Sequence, residues 1–554
     1  MSKIKLLQIS VLSLSLFVLP AFAQDVFHVN INNGDDTNDG LKWSTAFKNL
    51  QQAIDAAGKG DTIKVAGGIY HPTKKITEVK GGNTNPLEPT DDLCRSFLLR
   101  KDLKIFGGFP SNATDATTME NRDWTKHQTI LSGDFNNDDG SYFANTIENA
   151  YHVIVMINAS SDMLIDGFHI TGGGNTTGDI SSVYVDNVLV NQTKGGGIYA
   201  MTSFDSFIDS SPILSNLVIR NNKVKSDGGG YYNYSNGHDA SPTLINVTMI
   251  NNVAEEGYGG AFYNDGLTGS NPKLLNVTIS GNTALAGGGL YCVAEEESSP
   301  IFENVLISGN QAYISGGVHI FAMGADAAPE ITNTTICGNK ATEIGIGGLY
   351  IRSVAGEVIP LIKNSVIWGN KSIVQEYDNY YLNGNQGNNI LCANNLIEGM
   401  DLGGTNLNGN VNPRFVNHID ADLAPTISNK GDYRLSNVSP LVNMGDNTFV
   451  TQIYDLAGKE RIFGEIVDIG AYELQSVVIS DNETITKEKN IWSYQGNIYV
   501  KVSKIITNVS IYSMNGMLVK QLNNLGEGTY SVTLTTGLYI VKLSTGETAK
   551  VIVN

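Results

Sequence analysis

An eight-residue phrase returns six times in the middle of the chain: SNLVIRNN, INVTMINN, LNVTISGN, ENVLISGN, TNTTICGN and KNSVIWGN. Its first asparagine stands at Asn216, Asn246, Asn276, Asn304, Asn333 and Asn364, and its second at Asn222, Asn252, Asn282, Asn310, Asn339 and Asn370. The step is therefore 28 to 31 residues each time, and Asn395 extends the first series. A fixed period of this length means one supersecondary unit stacked on copies of itself. Between the asparagines, alternate positions are mostly apolar (Leu217 and Ile219, Val247 and Met249, Val277 and Ile279), the period of a strand with one buried face. Each unit also holds a glycine pair or triplet before a second stretch: GGGIY, GGGYY, GGAFY, GGGLY, GGVHI and GGLYI. Glycine at such corners supplies backbone angles that other residues resist. A unit of two or three short strands cannot bury its apolar face alone, whereas stacked coils can. Asparagines at one corner of every coil then hydrogen-bond each other and buried turn amides. The expected fold is all-β, a right-handed parallel β-helix.

These phrases resemble right-handed β-helix repeat proteins in general and the polymorphic outer membrane protein repeat in particular. The marks are GGGI, GGAF and GGGL together with MINN, ISGN and IWGN, between roughly residues 195 and 372. The resemblance implies a fold and says little of activity, because β-helices carry lyases, hydrolases, adhesins and inert stalks alike. Asn-Xaa-Thr at Asn246, Asn276 and Asn333 has the form of a glycosylation acceptor, but the same asparagine recurs where no Ser or Thr follows, so a ladder accounts for it better.

The ends read differently. Lys3 and Lys5, an apolar run from Leu6 to Leu19 and Ala21-Phe22-Ala23 before Gln24 have the pattern of a signal peptide (residues 1–23) cleaved between Ala23 and Gln24. An uncleaved anchor is the alternative, although the run is short of the ~20 residues a span needs. Residues 24–91 form an entry and capping segment. In it Ser44 is placed to cap a helix whose apolar face is Ala46, Phe47, Leu50, Ala53, Ile54 and Ala57, shielding the open edge of the first coil. The β-helix is expected over 92–430, a closing segment over 431–473 and a polar linker over 474–491. The closing segment resembles that of secreted β-helix proteins at Ser439-Pro440, Gly445-Asp446, Asp455-Leu456-Ala457-Gly458, Arg461 and Asp468 to Glu473. From 492 to 554, strand-like alternation broken by glycine turns predicts a small β-sandwich. It resembles the C-terminal sorting domain of type IX secretion at Gly516, Gly528, Gly537, Tyr539, Val541 and Lys550. That resemblance implies the type IX machinery as a partner, export across an outer membrane, and release or surface attachment. An ordinary carbohydrate-binding sandwich is the alternative.

With 55 Asp and Glu against 36 Lys and Arg, the net charge of -19 argues against nucleic acid or an anionic membrane as partner. No second apolar run suggests a transmembrane span. Cys94, Cys292, Cys337 and Cys392 are too scattered for a disulfide framework and are expected as packed thiols. No Arg-Xaa-Pro-Xaa-Xaa-Arg stretch of the pectate-lyase kind occurs, and the galacturonase pattern is absent from the coils. Glu255, Glu256, Glu295, Glu296, Glu297 and Asp326 are the carboxylates available for a hydrolytic pair, with solvated loop charges as the plain alternative.

More suggestive is the column after each glycine corner: Tyr199, Tyr232, Phe262, Tyr291, His319 and Tyr350. If the preceding, mostly aliphatic residues point inward, alternation sets these rings outward at the ~4.8 Å coil spacing, as an aromatic strip on which sugar rings stack. Inward packing, or cover by loops, is the alternative. Asp134, Asn136 and Asp138 before Gly140 place oxygen ligands at alternate positions as a calcium loop does, but the glycine is one place late and no Glu closes the loop, so a plain Asx-rich turn is the alternative. No cofactor is expected, calcium excepted. The expected role is binding, as an adhesin or in recognition of a polysaccharide or surface glycan, by a secreted or cell-surface protein rather than an enzyme. An extracellular polysaccharide lyase or glycoside hydrolase is one alternative, and a passive surface stalk another.

Overall fold

The first asparagine of each phrase is a corner. Asn216, Asn246, Asn276, Asn304, Asn333 and Asn364 all have φ between 47° and 57°, in the left-handed region that asparagine tolerates better than other side-chain-bearing residues. Each separates two short strands that lie in different sheets, as Asn216 separates Ile213–Ser215 from Val218–Arg220. The series continues at Asn394, φ 56°, and not at Asn395, which accepts from the Ser365 backbone N–H one place further on. In this computed structural model the described residues are 24–76, 92–174, 182–186, 188–324, 326–343, 345–374, 378–425, 431–475 and 491–553, less 495, 503, 514–515 and 546–547. Ala23, the expected leader and most of the expected linker lie outside them. The chain divides into two units, Met1–Val477 and Val478–Asn554.

In the first unit each regular coil contributes strands to four parallel sheets. Sheet 1 has 11 strands, from Val26–Val29 to Leu391–Ala393, and sheet 2 has 10, from Gly68–Tyr70 to Leu396–Ile397. Sheet 3 has nine, from Phe97–Leu99 to Tyr380–Asn383, and sheet 4 has five two-residue strands beginning at Lys223–Val224. The result is a right-handed parallel β-helix. Its interior is a continuous stack in which Leu217, Val247 and Val277, then Ile219, Met249 and Ile279, are fully buried. The second asparagines complete it: Nδ2 of Asn222, Asn252, Asn282, Asn310 and Asn339 each donates to Oδ1 of the next, at 3.0, 3.0, 2.9, 2.8 and 2.8 Å. The same Oδ1 atoms accept the backbone N–H of the preceding coil's asparagine, so the ladder satisfies polar groups that the stack removes from water.

A helix, α1 (Leu50–Ala56), closes the first coil, with Leu50, Ala53, Ile54 and Ala57 buried against it. Ser44 does not cap this helix. It lies in a separate 3₁₀ turn, Trp43–Thr45, and its hydroxyl donates to Asp115 at 2.7 Å, because α1 begins at Leu50, four residues after the apolar pattern starts at Ala46. Downstream, Leu441 and Ile469 pack on Leu306, Cys337, Val366 and Leu396, the outer side of sheet 2. There Arg461 is buried, its Nη2 donating to the carbonyls of Asp468 and Gly470. None of the four cysteines is joined to another by a disulfide.

The second unit is a small β-sandwich. A three-stranded sheet (Ile491–Tyr494, Asn497–Val502, Gly528–Thr533) and a four-stranded sheet (Ile506–Ser513, Leu518–Leu525, Gly537–Leu543, Thr548–Val553) share a core of Ile498, Val500, Val509, Ile511 and Val541. Gly516 stands in the turn after Ser513, Gly537 opens its strand, the Tyr539 hydroxyl donates to the Thr535 carbonyl at 2.9 Å, and Lys550 is exposed.

Candidate functional site

The strands of sheet 3 are in register, so equivalent residues of adjacent coils lie directly beside one another. Its outward column runs Tyr199, Tyr232, Tyr263, Tyr291, His319, Tyr350 and Tyr381. Phe262 belongs to the other side: it pairs with Tyr231 and Leu290, is fully buried, and stacks on Tyr231 inside the helix at 4.7 Å. The reason is visible in GGAFY, where Ala261 takes the place of the third glycine of GGGYY without any shift, so Phe262 stands in register with Tyr231 and Tyr263 with Tyr232. Gly259, φ 66°, opens that corner, and a Cβ there would collide with the Phe262 carbonyl.

The column is not an open strip. Ring centroids of successive members lie 5.1, 5.2, 5.6, 4.6, 4.5 and 5.8 Å apart, with the Tyr232–Tyr263 and Tyr263–Tyr291 planes within 8° of parallel. The ring faces are spent on each other. At the first end, the hairpin of Ser182–Val185 and Val188–Asn191 covers the column: Val183, Val185, Val188 and Val190 pack with Tyr199 and Tyr232, and the Tyr199 hydroxyl donates to the Leu189 carbonyl. Toward the other end the cover thins, and Tyr350 and Tyr381 are half-buried. Burial raises the Tyr232 and Tyr263 hydroxyls far above their ordinary range and drops His319 to about 3, so its ring is neutral, held at 3.0 Å from the Ser315 hydroxyl.

Two residues further along each strand lies a second outward column, which includes Tyr234, Asp265, Val293, Phe321 and Arg352. Between it and the ladder opens a groove of about 290 Å³, lined by Tyr234, Tyr258, Tyr291 and Phe321 with Asp265 and Glu295 among the polar groups. The Tyr263 hydroxyl donates to Asp265 at 3.0 Å. Desolvation pushes the Asp265 carboxyl up to about 6, against the lowering effects of that bond and of Lys194. Lys194 pairs with Asp227 at 2.9 Å and lies over the Tyr232 ring at 4.9 Å. Arg352 lies over Phe321 at 5.1 Å. Apolar surface beside carboxylates and hydroxyls suits a ligand with both apolar faces and polar edges.

The other carboxylates singled out in the sequence do not converge. Glu255 and Glu256 pair with Lys223 and Lys225 beside sheet 4, Glu297 accepts from Ser299, Asp326 accepts the Glu357 N–H, and Glu296 is exposed. Glu295 alone reaches the groove, and Asp265, which no motif marks, is its partner there. Its signal was its place two residues after the ladder tyrosine, on the same face. In the acidic loop, Asn136 is exposed, and Asp138 offers its N–H to Asp134 and its carbonyl to Asn145. The oxygens that converge with Asp134 are those of Asp139 and Glu148.

No family model matches the chain, and no curated protein does. Among solved structures it is similar to "Crystal structure of pectate lyase Pel9A", at 14% identity and TM-score 0.41 over 81% of this chain and 96% of that one. It is also similar to "The complex structure of XylC with xylose", at 8% identity and TM-score 0.30 over 81% of this chain and 98% of that one. Likenesses at this level transfer no site residue to this chain.

Proposed function

We propose that the protein is a glycan-binding β-helix of the cell exterior, and that the groove beside the tyrosine ladder is its binding site. The observation that carries the reading is the joining, in one groove, of the apolar side chains Tyr234, Tyr258 and Phe321 with Asp265 and Glu295. A pyranose has apolar C–H faces and hydroxyl edges, and this groove offers a complement to each. Its polar lining is acidic, which favours neutral sugars over uronic acids. Export is supported by the signal-peptide pattern of residues 1–23 and by the marks of the type IX sorting domain at Gly516, Gly537, Tyr539 and Lys550.

A second reading is glycoside hydrolysis. It is favoured by Asp265, whose carboxyl is raised toward the range of a general acid, with Glu295 in the same groove. Affinity electrophoresis through gels containing neutral glucans, galactomannan, pectin or alginate, stained afterwards for polymer, separates these readings. Retardation by a neutral polymer that is lost in a Tyr234→Ala, Phe321→Ala double variant supports binding. A cleared track in a neutral-polymer gel assigns hydrolysis, one confined to pectin or alginate leaves hydrolysis and elimination to be told apart by the unsaturation of the products, and unretarded migration in every gel refutes both readings and leaves a surface stalk.

A further inference from the structure

The tyrosine ladder already holds one ammonium of its own. Lys194 Nζ pairs with Asp227 at 2.9 Å, donates to the Tyr232 hydroxyl at 3.4 Å, and lies 4.9 Å from the centre of the Tyr232 ring and 6.0 Å from that of Tyr263. Carboxylate and ring face act together there, the first by charge and the second by its quadrupole. The groove repeats the combination in the next coil. Asp265 stands directly beside Tyr234 in the register of sheet 3, and lines the same space as Tyr258 and Glu295. What the groove lacks is the cation. Among the described residues no Lys or Arg forms an ion pair with Asp265 or Glu295, whereas Asp227, Glu255 and Glu256 each have a lysine.

Asp265 is set for such a partner. Its Oδ2 accepts from the Tyr263 hydroxyl, and among the described residues its Oδ1 accepts no hydrogen bond. The desolvation that raises this carboxyl is the cost of burying a charge without a counter-ion, and an ammonium brought by a ligand offsets it. The groove is also longer than one small amine needs. It crosses four coils, from the strand of Tyr234 to that of Phe321, or about 14 Å at three steps of the ~4.8 Å coil spacing. A short run of sugar rings fits that length.

We propose, on the reading of this groove as a glycan site, that its ligand is an amino-sugar chain whose ammonium lies against Asp265 and Glu295 as the Lys194 ammonium lies against Asp227. A protonated amino sugar carries in one ring the apolar C–H face that suits Tyr234 and Tyr258 and the cation that suits Asp265. A neutral sugar supplies the first and only uncharged donors for the second, and charge-assisted bonds are roughly twice as strong. A lysine-rich peptide supplies the ammonium on a flexible stem, with rotamer freedom to lose and no ring to lay along the apolar wall.

The test is calorimetric titration of the full chain with β-1,4-linked tetramers of glucosamine, N-acetylglucosamine and glucose. Salt of about 0.15 M screens the general attraction of a chain of net charge -19 for any cation. The glucosamine tetramer is expected to bind at least about tenfold more tightly than either neutral tetramer, the step that a hydrogen bond to a charged group supplies. That preference is expected to fall below about threefold in Asp265→Asn, to fall also in Glu295→Gln at an exposed position, and to persist in the charge-matched control Asp162→Asn. Circular dichroism checks that the variants fold. No heat with any tetramer up to millimolar concentration would remove the groove as a glycan site and the amino-sugar assignment with it. Neutral tetramers bound as tightly as the glucosamine tetramer, a preference unchanged in Asp265→Asn and Glu295→Gln, or one lost equally in Asp162→Asn would overturn the amino-sugar assignment alone. A lysine tetrapeptide bound as tightly as the glucosamine tetramer would overturn it in favour of a basic peptide.

Discussion

Tyr232 and Tyr263 occupy equivalent places on adjacent coils, their ring centroids 5.2 Å apart and their planes 6° from parallel. The coil spacing, close to the ~4.8 Å between strands, sets that separation, so rings of like rotamer have no choice but to stack. The ladder is therefore a consequence of register. It forms one wall of the groove, and what it presents to a ligand is ring edges and hydroxyls.

Emptying one rung tests the ladder as structure. Tyr263→Ala removes contacts with two neighbouring rings and is expected to lower unfolding stability by about 3–5 kcal/mol, the range for truncating a buried aromatic side chain. Tyr263→Phe keeps the stack and loses only the bond to Asp265, a loss of roughly 0.5–1.5 kcal/mol. Urea midpoints of the two variants should separate accordingly.

Asn282 links three coils: it accepts from the Asn252 backbone and side chain, and donates to Asn310. Asn282→Ala leaves the Asn252 backbone N–H buried and unpaired and takes one bond each from the side chains of Asn252 and Asn310, at roughly 1–3 kcal/mol for the orphaned N–H if water does not rescue it. Asn282→Asp should be at least as harmful, because a carboxylate cannot donate to the Asn310 oxygen. Hydrogen exchange of the flanking turn amides would localise the damage.

Asp265 gives stability a pH dependence of definite sign. Its folded-state value of about 6 exceeds the 3.8 of the free side chain, so the stability tied to its protonated form is present below pH 4 and lost as pH rises through 6. Asp265→Asn should remove that loss, giving a gain at pH 7 over the parent of up to about 3 kcal/mol. Subtracting the variant's profile of denaturant midpoint against pH from the parent's isolates this group from others that titrate nearby. A flat difference between pH 4 and 7 would contradict the prediction.

Arg461 is buried with the carboxylates of Asp455, Asp468 and Glu473 around it. Arg461→Met keeps much of the volume and strands those charges, with an expected loss of about 3–5 kcal/mol at neutral pH. Glu473 is already raised to about 7, mainly by desolvation and then by Asp468, so the loss should shrink as pH falls and the carboxyls take up protons. Denaturation at pH 5 and pH 7.5 compares the two regimes.

Much of this molecule is legible in the chain because a solenoid writes its geometry in the sequence period. Asn216 and Asn246, or Asn222 and Asn252, are spatial neighbours for the same reason that they are sequence equivalents. The one slip in the aromatic column, Phe262 for Tyr263, was also legible: aligning GGAFY with GGGYY by the glycine triplet places Phe262 under Tyr231. Ser44 misled because its position before an apolar stretch fits a cap, whereas the segment turns once more before α1 begins at Leu50.

The repeat thus determined the coil, the inward stack, the asparagine ladders and the outward direction of the tyrosines, since each depends on residues one period apart. The cover over Tyr199 by Val183 to Val190, the pairing of Asp265 with Glu295 in one groove, and the meeting of Asp134 with Asp139 and Glu148 were decided only by tertiary structure. Those contacts join irregular excursions to regular coils, and no periodic pattern records where an excursion lands or how much water it displaces from a neighbouring face.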